Sequence, residues 1–305
     1  KGRKLFFDPP TFIKILLLPL IFWNVAFGWI LLALYIAQAL LFGWHIAGRN
    51  FKKPKFTFKT ILLTLTSFAL VMIYGFATYK YLLSAKFILV LLVLDIFAPI
   101  IISAIVLIFQ PFFVMMRTRI LKKAAAKVAS YKNLKVIGIT GSYGKTATKE
   151  FLTTILSSKF NLLSTPEHKN SEIGIAQTIL QDLKPEHKVF VVEMGSYNKG
   201  GIKLLCDMVK PRLGMVTGVN QQHLATFGSM ENLLSAEGGI ELVKALPKNG
   251  TIIVNGDNQY CVDLYKKVYQ LAGSLEKKIY AIKKHKLQTD IWTEDVVVLE
   301  DRISF

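Results

Sequence analysis

The stretch VIGITGSYGKTATKE, residues 136–150, has the residue types and spacing of a phosphate-binding loop. An apolar run leads to Gly141 and Gly144, which let the backbone direct its N–H groups at phosphate oxygens, and a helical pattern follows. Lys145 would reach the β- and γ-phosphates, and Thr146 would offer its hydroxyl to Mg²⁺. The predicted cradle consists of Gly141, Ser142, Tyr143, Gly144, Lys145 and Thr146, in the shorter form G-x-x-G-K-T.

Other polar side chains follow the apolar runs of this half of the chain. Glu193 ends VFVVE, His223 follows LGMVTGV, and Asn255 and Asp257 follow TIIV. Ligands of parallel sheets bind beyond the carboxyl ends of the strands, so we expect these groups near the phosphate loop. Glu193 suits a Mg²⁺ ligand, because hard cations prefer carboxylate oxygen. His223 could hold a second metal, or it could be an ordinary loop histidine.

Short β-rich runs alternate with helical patterns from Val136 onward. The runs are KVIGIT, KVFVVEM, RLGMVTGV, GTIIVNG and KKIYAI, and the helical patterns lie near 146–158, 172–183, 199–209, 230–245 and 258–272. Such alternation predicts an α/β fold with helices on both faces of a parallel sheet. The expected fold class of this half is a P-loop, doubly wound, mostly parallel sheet.

The residues before this half are mostly apolar. Three stretches, 15–44, 61–79 and 87–115, each come close to or exceed the roughly 20 residues that a helix needs to cross a bilayer. They show almost no polar face, which argues against buried core helices. We therefore expect an α-helical transmembrane region of about three spans in a membrane anchor, 1–134, followed by an ATP-binding domain, 135–305.

The positive charge is concentrated in the apolar half. Of the 38 Lys and Arg residues, 18 lie in residues 1–135 against two acids, whereas residues 136–305 are close to neutral. Basic segments that flank apolar runs are typical of cytoplasmic loops rather than of nucleic-acid binding. We expect a multi-pass protein of the inner membrane with its ATPase domain in the cytoplasm, membrane lipid as a partner and no nucleic acid. The basic residues before the first run oppose this orientation.

One acid, Asp95, lies inside the third apolar stretch. An acid within a membrane span is a functional hypothesis by default. Because the predicted spans contain no Lys or Arg to pair with it, we favour the alternative that it packs against another span or caps a break near Pro99.

Four motifs, in order, resemble the central ATPase domain of the Mur ligase family: GITGSYGKTATKEFL, VVEMGSYNKGGIKLL, NQQHLATFGS and LPKNGTIIVNGDN. The resemblance extends from about Lys135 to the end of the sequence. It implies that ATP phosphorylates a carboxylate to an acyl phosphate, which an amine then attacks to form an amide bond. The acceptor would be a peptidoglycan-precursor peptide, UDP- or lipid-linked, and the amine an amino acid or a dipeptide such as D-alanyl-D-alanine.

The resemblance also implies roles for individual residues. Lys145 would hold the transferred phosphate, Thr146 and Glu193 would ligate Mg²⁺, His223 would ligate a second Mg²⁺, Asn255 would face the adenine, and Asn170 would belong to the substrate-side loop. ATP and Mg²⁺ are the cofactors that this predicts.

Several positions depart from the family pattern. A CO₂-modified lysine of the family aligns with Glu237, which could supply a permanent carboxylate to the second metal; the alternative is a surface glutamate and a lost metal function. His168, Ser171 and Gly218 replace common asparagines and leave the acceptor open. The family's other two domains are not recognisable in this sequence, so we expect these residues alone to be inactive.

Two other functions remain open. One is a polymer ligase with the same ATPase domain, such as a poly-γ-glutamate synthetase. The other is a non-catalytic membrane scaffold that binds nucleotide. A transporter ATPase is disfavoured, because three spans form a small pathway and the motifs match ligases.

Overall fold

The computed structural model describes residues 9–24, 27–48, 56–78, 85–282, 289–293, 297–298 and 303–304. The chain divides into two compact units, Lys1–Met115 and Met116–Phe305.

Apolar helices form the first unit. They are α1 (Pro9–Trp23), α2 (Gly28–Ala47), α3 (Phe58–Thr78) and α4 (Ala85–Ser130), the last of which continues into the second unit. Within the described residues, three windows are long and apolar enough to cross a membrane by length and composition: Gly28–His45, Phe58–Phe76 and Leu92–Ser130. The shorter apolar helix Phe12–Ile21 precedes them.

The prediction of one span over 15–44 was wrong, because that stretch contains parts of two helices. α1 ends at Trp23 and α2 begins at Gly28, with the polar Asn24 outside both. Hydrophobicity alone does not predict where one helix ends and the next begins, since the residues on both sides of this boundary are apolar. The stretches 61–79 and 87–115 fall on α3 and α4, apart from Tyr79, which lies outside the described residues.

Asp95 packs against another apolar helix, as predicted, and it also has a basic partner from outside the predicted spans. The Nζ of Lys14, in α1, lies 2.5 Å from Asp95 Oδ2 and is 7% exposed as a residue. The hydroxyl of Tyr35, in α2, donates to the same carboxylate oxygen at 2.8 Å. The pairing with Lys14 was not predicted, because Lys14 lies one residue before the predicted first span. The group joins α1, α2 and α4 in the interior of the first unit.

A parallel sheet organises the second unit and confirms the predicted α/β class. Its seven strands are β1 (Lys135–Thr140), β2 (Leu162–Ser164), β3 (Val189–Glu193), β4 (Leu213–Val216), β5 (Thr251–Asn255), β6 (Glu276–Ala281) and β7 (Ile291–Trp292), in the spatial order β2-β3-β1-β4-β5-β6-β7. All neighbouring pairs are parallel, and β1 lies between β3 and β4. A separate antiparallel pair joins β8 (Val297–Val298) and β9 (Ile303–Ser304).

Helices of the second unit pack on both faces of this sheet. They are α5 (Lys145–Ser157), α6 (Glu172–Asp182), α7 (Gly201–Val209), α8 (Leu224–Phe227), α9 (Met230–Ala236), α10 (Ile240–Ala245) and α11 (Gln259–Ala272). Phe190 and Val192 belong to one hydrophobic cluster, and the intervening Val191 belongs to another, in which α5 packs. This alternation is the two-residue period of a strand buried on both faces.

Several elements differ from those predicted, among them β7 and the pair β8 and β9, which were not predicted. The helical pattern 230–245 is divided between α9 and α10, because Gly239 adopts φ 86° just before α10 begins. The short strand β2 carries too few residues for a recognisable pattern. The last turns of α4 belong to the second unit, where Leu121, Ala124 and Val128 join its core cluster.

Candidate active site

The phosphate loop connects β1 to α5 at the carboxyl edge of the sheet. Gly141 and Gly144 have φ of 142° and 75°, and a Cβ on Gly141 would lie 2.3 Å from Thr217 Oγ1. The Ser142 N–H donates to the Gly218 carbonyl at 2.7 Å, which fixes the loop to the chain after β4. The first amides of α5 have no intrahelical partner, and Gly144 supplies no side-chain cap. The loop therefore presents backbone donors suited to phosphate.

Lys145 lies over this loop between two carboxylates. Its Nζ donates to the Gly141 carbonyl, and burial lowers the pKa of its ammonium group, while Glu237 and Glu193 oppose that shift. The ammonium group therefore lies at the loop, close to where phosphate oxygens would bind.

Glu193, at the end of β3, contacts two of the predicted site residues. The Thr146 hydroxyl donates to Glu193 Oε2 at 2.9 Å, and Asn170 Nδ2 donates to Oε1 at 2.9 Å. The side chain is almost fully buried, and the Glu193 amide donates to Thr165 Oγ1 at 3.0 Å. A carboxylate and a hydroxyl at a phosphate loop are donors that fit Mg²⁺, which is commonly held by few protein oxygens together with substrate phosphates.

Glu237, at the end of α9, is buried on the other side of the loop. Its residue exposure is 2%, so the alternative of a surface glutamate is wrong. Ser142 Oγ donates to Glu237 Oε2 at 2.8 Å, and His223 Nδ1 lies 2.9 Å from Oε1. The predicted pair of His223 and Glu237 is therefore brought together with the phosphate loop.

Neither carboxylate site is a complete metal site. In the part of the chain that the structure describes, no group of three or more His, Cys, Asp and Glu side chains could hold a metal ion. Each of the two pairs would need phosphate oxygens or water to complete a cation's coordination, which is the usual arrangement for Mg²⁺.

Asn255 ends β5 and contacts the chain that follows β4. Its Nδ2 donates to the Thr217 carbonyl at 2.9 Å, and its Oδ1 accepts from the Asp257 amide at 2.9 Å. Thr217 also donates to the Tyr143 carbonyl at 2.5 Å. These bonds join the ends of β4 and β5 to the phosphate loop.

Asn258 is a site residue that sequence reasoning missed. Its Nδ2 donates to the Tyr143 hydroxyl at 3.2 Å and to the Val219 carbonyl at 3.0 Å. The ring of Tyr143 lies against Gly218, where a Cβ would approach Tyr143 Cζ to 2.4 Å. Gly218, which departs from the family pattern, therefore makes room for Tyr143. The signal for Asn258 was its place as N-cap of α11.

A cavity of about 520 Å³ opens beside Asn170. Among the side chains that line it are those of Arg117, Asn170, Ser171, Glu172, Tyr197 and Lys199. Ser171 caps α6 by accepting from the Gly174 amide at 3.3 Å, and Arg117 Nε donates to Glu172 Oε1 at 2.6 Å. Since Asn170 also bonds Glu193, it connects the cavity to the phosphate loop. His168 has an exposed side chain and a left-handed φ of 62°.

Comparisons with known proteins agree with this geometry. Residues 139–305 match the Mur ligase middle domain. UDP-N-acetylmuramoyl-tripeptide–D-alanyl-D-alanine ligase of Synechocystis sp. is 38% identical over 137 residues, or 45% of this chain and 30% of that protein. The Escherichia coli enzyme of the same name is 37% identical over 134 residues, or 44% of this chain and 29% of its own length.

Solved structures lead to the same group. The crystal structure of MurF from Acinetobacter baumannii superposes with a TM-score of 0.52 at 26% identity and covers 60% of this chain and 38% of that one. The chain thus spans about 30% of the length of the curated relatives named above.

Proposed function

Because the chain belongs to the Mur ligase family, we propose that it is a membrane-anchored, ATP-dependent ligase that forms an amide bond on a peptidoglycan-precursor peptide. One observation carries this proposal. Thr146, Glu193 and Asn170 are hydrogen-bonded in series, so that the phosphate loop and the cavity meet at one carboxylate. This connection supports the proposal, because a nucleotide bound at the loop and an acceptor bound in the cavity would meet there.

The names of the relatives support a particular amine. Both curated relatives are ligases of D-alanyl-D-alanine to a UDP-linked muramoyl tripeptide. We propose the same dipeptide here, with a muramoyl peptide, UDP- or lipid-linked, as the acceptor in the cavity.

The proposed reaction has two steps. A carboxylate oxygen of the acceptor attacks the γ-phosphorus of ATP, the bond to the bridging oxygen breaks, and ADP leaves. The amine nitrogen then attacks the acyl carbon, the carbon–oxygen bond to phosphate breaks, and the nitrogen loses one proton. The protein contributes position and charge: the loop amides and Lys145 hold phosphate oxygens, and Asn170 orients the acceptor.

Two pairs of residues would hold Mg²⁺. Thr146 with Glu193 forms one pair, and His223 with Glu237 forms the other. When bound, the ions would neutralise charge on the phosphate oxygens. Because Glu237 is buried and already in contact with His223 and Ser142, we propose that it supplies the fixed carboxylate that other members obtain from CO₂.

The proposed location is the inner membrane, with the ligase domain in the cytoplasm. Three helical windows have the length and composition of spans, and basic residues follow the last apolar stretch. ATP is available on the cytoplasmic side, which agrees with the excess of Lys and Arg there.

The test uses the full-length protein in membranes. Phosphate release from ATP would be followed with UDP-linked and with lipid-linked muramoyl tripeptide, each with and without D-alanyl-D-alanine, and the product identified by mass spectrometry. We expect release that needs both acceptor and dipeptide and that is lost in Lys145→Ala. Release that depends on glutamate without a muramoyl peptide would favour a polymer ligase, and ATP binding without turnover would favour a scaffold.

A further inference from the structure

The cavity includes a residue from the helix that carries the last apolar stretch. Arg117 belongs to α4, two positions after Met115, where the stretch predicted to span a membrane ends. After Arg117, the helix packs on the second unit through Leu121 and Ala124, and Lys127 Nζ donates to the Leu180 carbonyl at 3.0 Å. The cavity wall and the apolar segment are therefore parts of one continuous helix.

Covalent geometry limits how far the cavity can be from the apolar segment. Phe112, an exposed aromatic residue of that segment, precedes Arg117 by five positions, which span at most about 18 Å in any conformation. The polar layer on each side of a bilayer's hydrocarbon core is roughly 5–8 Å thick. If the segment spans a membrane, Arg117 lies in or just beyond the headgroup layer.

Arg117 has donors to offer to a ligand. Its Nε pairs with Glu172, and among the described residues no second carboxylate pairs with the guanidinium. The group is part-exposed at the cavity, with 41% of its side chain accessible. A guanidinium recognises phosphate with two parallel N–H bonds. Asn170 also lines the cavity and donates to Glu193 at the phosphate loop, so the cavity presents a guanidinium together with an amide that leads to the loop.

The outer face of the same helix is basic. Arg119, Lys122 and Lys123 are exposed, on the side opposite to the buried Leu121 and Ala124. Basic residues directly after an apolar segment attract anionic lipid headgroups, by about 1 kcal/mol each near the surface. The exposed basic face is therefore suited to contact an anionic lipid surface.

From these observations, and resting on the proposed function, we infer that the acceptor is a muramoyl peptide carried on a membrane lipid through a diphosphate, and that Arg117 is the positioning residue for that diphosphate. A UDP-linked acceptor has the same diphosphate chemistry, but it gains nothing from a cavity next to the membrane. If Arg117 lies near the headgroup layer, a lipid-linked acceptor is confined to the same surface, so its effective concentration at the cavity is higher.

The experiment uses the full-length protein in nanodiscs of phosphatidylethanolamine and phosphatidylglycerol, with saturating ATP and dipeptide. The same muramoyl tripeptide would be supplied either on a lipid diphosphate or on UDP. We expect kcat/KM to be at least about tenfold higher for the lipid-linked form. Arg117→Gln should raise KM for that acceptor by about tenfold to a hundredfold with little change in kcat, and Arg117→Lys should recover part of the loss.

Arg212→Gln is the matched control, because it removes the same charge from an exposed position outside the cavity. The ATP affinity of each variant checks that the second unit remains folded. Equal use of both acceptors, or equal effects of Arg117→Gln and Arg212→Gln, would overturn the inference while leaving the ligase proposal intact. If neither acceptor supports turnover, both the inference and the ligase proposal are wrong.

Discussion

Two buried carboxylates lie on opposite sides of the phosphate loop, and their surroundings differ. Glu193 accepts from a hydroxyl and an amide, both neutral, and connects the loop to the cavity beside Asn170. Glu237 accepts from the Ser142 hydroxyl and faces the ring nitrogen of His223. Glu193 ends a sheet strand, whereas Glu237 ends the short helix α9.

This difference suggests a division of labour. The oxygen ligands on this side, from Glu193 and Thr146, suit a hard cation such as Mg²⁺ at the transferred phosphate. The Glu237 side adds an imidazole nitrogen, which also suits transition metals. We therefore expect the first side to control the chemical step and the second side to adjust charge, and the following predictions test that contrast.

The largest effect is expected at Glu193. Glu193→Gln keeps the shape but removes the charge, so turnover of the full-length enzyme should fall by about 100- to 1000-fold. Phosphate release with saturating acceptor and dipeptide would measure it. Glu276→Gln, a substitution at the start of β6, is the control. A loss below about fivefold would remove Glu193 from the chemical step.

At Glu237 the expected effect is smaller and chemically specific. Glu237→Gln should lower turnover by about 10- to 100-fold, and bicarbonate should change the rate of neither this variant nor the parent protein. Glu237→Lys should be inactive in CO₂-depleted buffer and regain activity on addition of bicarbonate, because a carbamate restores the anion. Initial rates with and without bicarbonate decide this. Stimulation of the parent protein by bicarbonate would contradict the role of Glu237 as a fixed carboxylate.

A substitution at Gly218, on which Tyr143 packs, should disturb the Glu237 side of the loop less than a substitution of Glu237 itself. In Gly218→Ala, the new Cβ would displace the tyrosine ring and break its bond from Asn258. Nucleotide affinity should fall by about three- to tenfold, the range of one lost hydrogen bond. Tyr143→Ala in the same chain should relieve the overlap, so the two effects should not add. Calorimetric titration with ADP would measure all three variants, and simple additivity would count against the contact.

Lys145 interacts with both carboxylates. Its substitution is expected to have the smallest effect of this series, on the thermal stability of the folded protein. Burial places the pKa of its ammonium group below the usual value of 10.5, so the charged form is less favourable in the folded state. Below the folded pKa this destabilisation is fully present, and it is lost as the pH rises through that pKa towards 10.5. Lys145→Met should therefore raise the melting temperature at neutral pH by about a few degrees.

The gain in melting temperature from Lys145→Met should shrink at alkaline pH. Thermal unfolding of the nucleotide-free protein at several pH values measures it, and Lys132→Met, at an exposed position, serves as the reference. A melting temperature that is unchanged or lower at neutral pH would show that the two carboxylates offset the burial of the ammonium group.

Much of the second unit could be predicted from local patterns. The phosphate loop is encoded by glycines at positions that require positive φ, followed by the first turn of a helix, and both are local properties. Glu193 was predicted because a strand end is visible in the sequence. Thr165, Thr217 and Asn258 were missed, because their site contacts join residues 28 to 115 positions apart.

Side-chain period and short motifs were enough to predict the class of the sheet, the phosphate loop and the family. Tertiary structure decided three further points: the burial of Glu237 beside Ser142, the pairing of Lys14 with Asp95, and the entry of Arg117 into the cavity. Each of these contacts joins residues 55 to 95 positions apart. Only packing brings such residues together. The spacing of apolar residues predicts which face of an element is buried, but it does not predict which polar side chains meet there.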